Sequence, residues 1–125
     1  MGNGRARQLI MDLEGDEMAV VRAAIASGLA DMERSQRTAS DDYQRLLDLQ
    51  REAEVVASHG PYRLPMAREQ AEALRTCVVM IMAMQGYFVG RPTAIVALAA
   101  VTTKLDRLLK GGRWDQMRQA AGEIL

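Results

Sequence analysis

The chain has 125 residues, of which 49% are apolar and 26% charged, and its sixteen basic residues balance its sixteen acidic ones. This length and composition predict a single domain over residues 1–125, and the zero net charge disfavours a general binder of polyanions. The few aromatic residues, together with many alanines, leucines and methionines, favour helices over strands. One cysteine excludes an intrachain disulfide, and since no secretory signal opens the sequence we expect a cytoplasmic protein.

The two halves of the chain carry opposite charge. Residues 1–60 hold eleven acidic against seven basic residues, and residues 61–125 hold nine basic against five acidic ones. Such asymmetry is typical either of a protein that presents one charged face to a partner or of halves that attract each other when packed. We favour the second interpretation, because facing elements of one bundle share charge in this way.

The first half has the pattern of a helical hairpin with a short leading helix. Residues 5–14 have apolar residues at helical spacing and predict a short N-terminal helix, which Gly15 ends. Asp16 is expected to cap a helix over residues 16–35, in which Gly28 lies on the apolar stripe and indicates a close helix crossing.

A second helix completes this acidic N-terminal hairpin over residues 16–59. Ser40, followed by Asp41 and Asp42, is a strong start signal for a helix over residues 40–59. The sequence His59-Gly60-Pro61 gives it a matching end, because glycine can close a helix and proline cannot continue one.

The second half, residues 62–125, predicts an apolar core and a basic C-terminal part. Residues 62–64 are expected to link the hairpin to a helix over residues 66–89 whose first position is taken by Pro65. From Cys77 to Met84 this segment is apolar on every side, which predicts burial all round. It is too short for a membrane span, which needs about 20 residues.

The remaining chain predicts a helix over residues 93–110 that Gly111-Gly112 ends, and a last short helix over residues 115–125. The expected fold is therefore all-α, a compact bundle of four main helices (16–35, 40–59, 66–89 and 93–110) with short N- and C-terminal helices. The sequence indicates no internal repeat.

No pattern in the sequence predicts catalysis. The single histidine, His59, is expected to act at a helix end, and Cys77 lies in an apolar run that would raise its pKa and leave it inert. The glycine pairs lack the rest of a phosphate-binding loop, and the paired acids lie at helix N-termini where capping explains them. We therefore expect no enzyme, no metal and no cofactor.

A cationic cluster around a tryptophan near the C-terminus is the candidate binding surface. It consists of Lys104, Arg107, Lys110, Arg113, Trp114 and Arg118. One interpretation is a solvated face on which the tryptophan covers the end of the core. Another is a contact surface, because tryptophan and arginine carry much of the energy of protein interfaces. A third is a helix-turn-helix that uses the Gly-Gly turn to present residues 115–125 to DNA.

These patterns predict a non-enzymatic helical protein–protein interaction module, a small adaptor, inhibitor or regulator such as bacteria, phages and other mobile elements encode. A homodimer is also expected, because a bundle this rich in alanine, valine and methionine leaves apolar surface for a second copy of the chain. The alternative is a DNA-binding transcriptional regulator of helix-turn-helix type, which the zero net charge disfavours. A membrane-active hairpin of residues 73–101 is a third hypothesis.

Overall fold

The computed structural model describes residues 8–84, 90 and 92–124, with side chains as far as Lys110. Within these residues the elements are β1 (Leu9–Leu13), α1 (Gly15–Arg34), α2 (Asp41–His59), β2 (Tyr62–Met66), α3 (Arg68–Met82) and α4 (Pro92–Ile124). The protein is therefore mostly helical, as predicted, but the all-α class is modified by a small antiparallel pair of strands.

The predicted N-terminal helix over residues 5–14 is wrong where the structure describes it, because residues 9–13 form strand β1. Met11 and Leu13 point into the core, whereas Ile10 and Asp12 face solvent. So short a segment fits the helical and the strand period equally well. The pairing with β2, which the local pattern does not reveal, selects the strand.

The predicted linker at residues 62–64 is also wrong, because it belongs to strand β2 and the next helix begins at Arg68 instead of at Pro65. Asp12 lies directly opposite Arg63 in the ribbon, and the two side chains form an ion pair at 2.9 Å. Proline is tolerated in β2, because both strands of a two-stranded ribbon are edge strands.

Helices α1 and α2 agree with the predicted hairpin to within a residue or two. The N-cap of α1 is Glu14 rather than Asp16, and its N–H donates to the carboxylate of Glu17 at 2.8 Å. Ser40 caps α2 as expected, since its hydroxyl accepts a hydrogen bond from the N–H of Tyr43. Helix α2 ends at His59, where Gly60 has a positive φ.

Helix α4 begins at Pro92, as predicted, but does not end at Gly111-Gly112. It runs without interruption to Ile124, so the separate last helix over residues 115–125 is absent. Glycine permits a helix end without enforcing one, and no proline follows this pair as Pro61 follows Gly60. The predicted helix over residues 66–89 is also too long, because α3 ends at Met82 and residues 83 and 84 are not helical. Residues 85–89 and residue 91 lie outside the described residues.

The core is a single cluster between the ribbon and the four helices. Its largest fully buried side chains are Met11, Ile25, Leu46, Leu49, Leu64, Met66, Leu74, Ile81, Leu105, Val20, Val21 and Val78. The close crossing predicted at Gly28 is confirmed, because a Cβ atom at this position would collide with the sulfur of Cys77 on α3.

Two strand–helix–helix units, residues 9–59 and 62–124, make up this fold. Met11 lies opposite Leu64 at the centre of the ribbon, with the Leu9–Met66 pair at one end and the Leu13–Tyr62 pair at the other. A twofold rotation about this centre exchanges the two strands and places each end pair on the other. The units are therefore related by an approximate twofold axis through the Met11–Leu64 pair.

The starts of the first helices repeat this symmetry. The N–H of Glu14 donates to the side chain of Glu17 at the start of α1, and the N–H of Ala67 donates to the side chain of Gln70 at the start of α3, both at 2.8 Å. The same backbone group is thus satisfied by the third helical residue in each unit.

The packing of the second helix against the first also repeats. Arg22 on α1 pairs with Glu54 on α2, and Arg75 on α3 pairs with Asp106 on α4. The buried residues of α2 correspond in spacing to those of α4, Leu46, Leu49 and Ala53 matching Leu98, Val101 and Leu105. The two units are thus alike in structure although the sequence indicates no repeat, because equivalent positions share apolar character and seldom the same residue.

Candidate interaction surface

Lys104, the first residue of the predicted cationic cluster, is engaged within the protein. Its ammonium donates to the carboxylate of Glu17 at 2.5 Å and to the main-chain carbonyl of Asp12 at 2.7 Å. It therefore ties α4 to the junction of β1 and α1 and joins a basic residue of the second half to an acidic one of the first. The interpretation that the charged halves attract each other is supported at this point.

The carboxyl group of Glu17 gives the fold an acid-sensitive contact. Burial alone would raise its pKa, but hydrogen bonds from Lys104 and the Glu14 N–H, with the charge of Lys104, hold that pKa below its usual value. A group whose pKa is depressed in the folded state stabilises the fold above its unfolded pKa and loses this contribution as the pH falls.

We therefore expect Glu17→Gln to lower the free energy of unfolding at pH 7 by about 1.5–3 kcal/mol, the range for hydrogen bonds to charged groups. The loss should shrink as the pH falls below about 4.5, the ordinary glutamate pKa. Urea unfolding of both proteins between pH 7 and pH 3 measures it. A difference that stays constant over this range would contradict the assignment.

The other members of the predicted cluster do not form one patch in the described structure. Arg107 is exposed and lines a groove beside Ile10 of β1, whereas Lys110 lines a different groove with Arg68 of α3. Side chains of the remaining three, Arg113, Trp114 and Arg118, lie outside the described residues.

The helix-turn-helix form of the DNA-binding hypothesis has no counterpart here. It requires a turn at Gly111-Gly112, and α4 is continuous across these residues. A recognition helix over residues 115–125 is therefore not separated from the helix that precedes it.

Exposed apolar side chains occur in the last turns of α3 and in the first turns of α4. Exposure is 48% for Val79, 52% for Met82, 54% for Ile95 and 72% for Val96. These four residues are called the α3–α4 apolar face below. The prediction that residues 77–84 are buried on every side is wrong, because α3 packs with one side only and leaves the other open.

The internal symmetry supplies a comparison for this face. The α2 residues equivalent to Val96 and Ala100 are Gln44 and Asp48, and the Gln44 amide donates to the Asp48 carboxylate at 3.0 Å. Ile95 corresponds to Tyr43, whose hydroxyl donates to Glu33 at 2.8 Å. The equivalent positions in the first unit are thus occupied by polar side chains that bond to each other or to neighbours. The packing of the fold therefore does not require apolar residues at these positions in the second unit.

Acidic residues border the apolar face on one side. Glu14 and Asp16, at the start of α1, line a groove together with Thr93, Val96 and Ala100 of α4. Neither carboxylate takes part in an ion pair with another residue of the described ranges. The face therefore has an acidic rim at the N-terminal end of α4.

Cys77 behaves as a core residue, as the sequence predicts. It is 3% exposed, and its burial, followed by the charges of Asp42 and Asp31, raises the pKa of the thiol to about 11. The thiol is therefore protonated at neutral pH and is a poor nucleophile. Among the residues with described positions, no group of three or more histidine, cysteine or acidic residues is placed to hold a metal ion.

Comparison with known proteins finds no matching family model, curated protein or solved structure. Of the described helices, none has both the length and the apolar character needed to cross a membrane.

Proposed function

We propose that the protein is a non-enzymatic, helical protein–protein interaction module, an adaptor, inhibitor or regulator, and that it docks through the α3–α4 apolar face. The observation that supports this most directly is the contrast between the two units. Ile95 and Val96 stand where the first unit has Tyr43 and Gln44, although the buried positions of the two helices correspond.

The energetics of the face are those of a contact surface. Fully burying a large aliphatic or methionine side chain is worth about 1.5–3 kcal/mol. Val79, Met82 and Ile95 are about half exposed in the free chain, and Val96 is 72% exposed. A contiguous apolar patch with a polar rim marks interaction sites in proteins. Burying this face against a partner would therefore contribute several kcal/mol to the free energy of binding.

We propose that the cationic residues of α4 form additional contacts beside the apolar face. Arg107 and Lys110 are exposed on the same helix as Ile95 and Val96, farther towards its C-terminus. Arg113, Trp114 and Arg118 stay predicted contact residues, since they follow on the same continuous helix. A cytoplasmic location also stays a prediction, which cell fractionation tests.

Photo-crosslinking tests the docking surface with two matched positions. A photoreactive residue replacing Val96 is expected to give a discrete protein adduct in cells, because this site faces the partner. The same residue replacing Val55, which is 58% exposed on α2, should give none. Adding Ile95→Gln should lower the yield at position 96 by about tenfold, since burial of one isoleucine is lost. Equal yields at both positions would overturn the proposal.

The DNA-binding alternative is supported by one observation, the ribbon itself. A two-stranded antiparallel ribbon fits the major groove of DNA, and the outer residues Ile10, Asp12 and Arg63 are exposed. However, Arg63 is paired with Asp12, and the adjacent Glu14 and Asp16 are acidic. A salt-sensitive gel shift of duplex DNA that Arg63→Ala abolishes would favour this alternative, and its absence at low salt would remove it.

A further inference from the structure

The exposed side of α4 changes chemistry along its length. From its start to its middle it presents Pro92, Ile95, Val96, Ala99 and Thr103, all apolar or small. Arg107 and Lys110 follow at the next exposed positions. Successive steps of three or four residues keep these positions on one stripe of the helix.

The stripe is complementary to itself when two copies run in opposite directions. If two α4 helices cross between Ala99 and Ala100, the small residues meet at the centre and allow a close approach. Each Val96 then lies beside Thr103 of the other copy. Each Arg107 reaches the level of Pro92 of the other copy, at the beginning of its helix.

The charges agree with this arrangement. Asp16 lines the grooves that also contain Pro92 and Thr93, next to the N-terminus of α4. Asp16 and Arg107 are both exposed, and neither has an ion-pair partner among the residues that the structure describes. In a twofold pair, equivalent sides of the two helices adjoin, so that Arg107 of each copy meets the acidic rim of the other. Two identical attractive contacts result, one at each end of the apolar centre.

We propose that the partner at this face is a second copy of the chain, held by antiparallel pairing of α4 across a twofold axis. This inference rests on the proposed function and names its partner. Twofold pairs that use the same surface on both copies are the commonest oligomers of soluble proteins. Another protein could cover the apolar centre. However, the stripe has an acidic rim at one end and an exposed arginine at the other, so two antiparallel copies place opposite charges together at both ends.

Charge exchange between the two ends tests the geometry, with molar mass measured by light scattering at low salt. Asp16→Arg and Arg107→Glu should each raise the dissociation constant of the dimer at least about tenfold, because like charges then meet at both ends. An equimolar mixture of the two variants should form a heterodimer, since each places opposite charges at both contacts. The double variant in one chain should dimerise again for the same reason.

Arg51→Glu is the control, because Arg51 is an exposed arginine on α2, outside the proposed contact, and its change should leave the dimer unaffected. Circular dichroism melting of each variant verifies that it is folded. A mixture that stays monomeric would overturn the antiparallel pairing, as would a wild-type chain that is monomeric throughout the concentration range. A monomeric wild type that still crosslinks a different protein from position 96 would overturn this inference and leave the proposed function standing.

Discussion

Leu64→Ala is expected to lower the free energy of unfolding by about 2–5 kcal/mol, the range for removing a buried leucine side chain. Leu64 has no exposed surface and lies opposite Met11 at the centre of the ribbon, where both units meet. A substitution here leaves a cavity on the twofold axis, which neither unit alone can close. Urea denaturation measures the change.

The neighbouring residue provides the control for this prediction. Arg63 points to solvent and makes an exposed ion pair, so Arg63→Ala should cost less than about 1 kcal/mol. Similar effects for both variants would contradict the alternation of inner and outer residues in β2. They would instead favour the irregular linker that the sequence predicts for this segment.

Gly28→Ala is expected to destabilise the protein by about 1–3 kcal/mol, although alanine is the better helix former by about 1 kcal/mol. The added Cβ would collide with the sulfur of Cys77, whereas it would contact the Cβ of Cys77 and a methyl group of Leu46 at an ordinary 3.5 Å. Removing the sulfur by Cys77→Ala should therefore allow alanine at position 28 without a clash. In the double variant, Gly28→Ala should be neutral or stabilising.

A double-mutant cycle from urea or thermal unfolding measures this coupling, with Gly15→Ala as the control. A Cβ on Gly15 would approach only a ring carbon of Tyr62, at 3.9 Å, so no clash is expected. Additive effects of Gly28→Ala and Cys77→Ala would show that the two positions do not share the crossing.

The sequence predicts the helices well where local chemistry decides their ends. Ser40 before two aspartates begins α2, the His59-Gly60-Pro61 sequence closes it, and Pro92 begins α4. In each case the signal is a residue whose backbone or side chain acts within one turn of the helix. Gly28 is a different kind of signal, since a glycine in an apolar stripe indicates a close crossing with another helix without identifying the opposite residue.

The ribbon is harder to predict because its two strands come from distant parts of the chain. Leu9, Ile10 and Leu13 have a spacing that suits a helix, and Pro65 suits a helix start. Only the pairing with a segment on the other side of the α1–α2 hairpin decides for strands. The internal symmetry is hidden from the sequence for a related reason, because equivalent core positions such as Val21 and Leu74 are both apolar but are different residues.

The interaction surface is predicted in part. The cationic residues of the sequence indicate α4 as the helix to inspect, but Lys104 is paired with Glu17, and Arg107 and Lys110 line different grooves. The apolar run around residues 77–84 suggests core, since sequence alone does not tell which side of a helix has no neighbour. The structure supplies this information by showing that Val79 and Met82 are exposed.

The molar mass of the purified protein at concentrations from about 1 to 100 µM, a range in which a dimer of micromolar affinity forms, tests the central claim most directly. We expect the wild-type chain to approach twice its 13.8 kDa as the concentration rises, and Val55→Gln to behave in the same way. Val96→Gln, which installs the side chain of the equivalent position in α2, should stay near 13.8 kDa while remaining folded. A wild-type mass of 13.8 kDa at every concentration, or a Val96→Gln dimer as stable as the wild type, would contradict the pairing of α4.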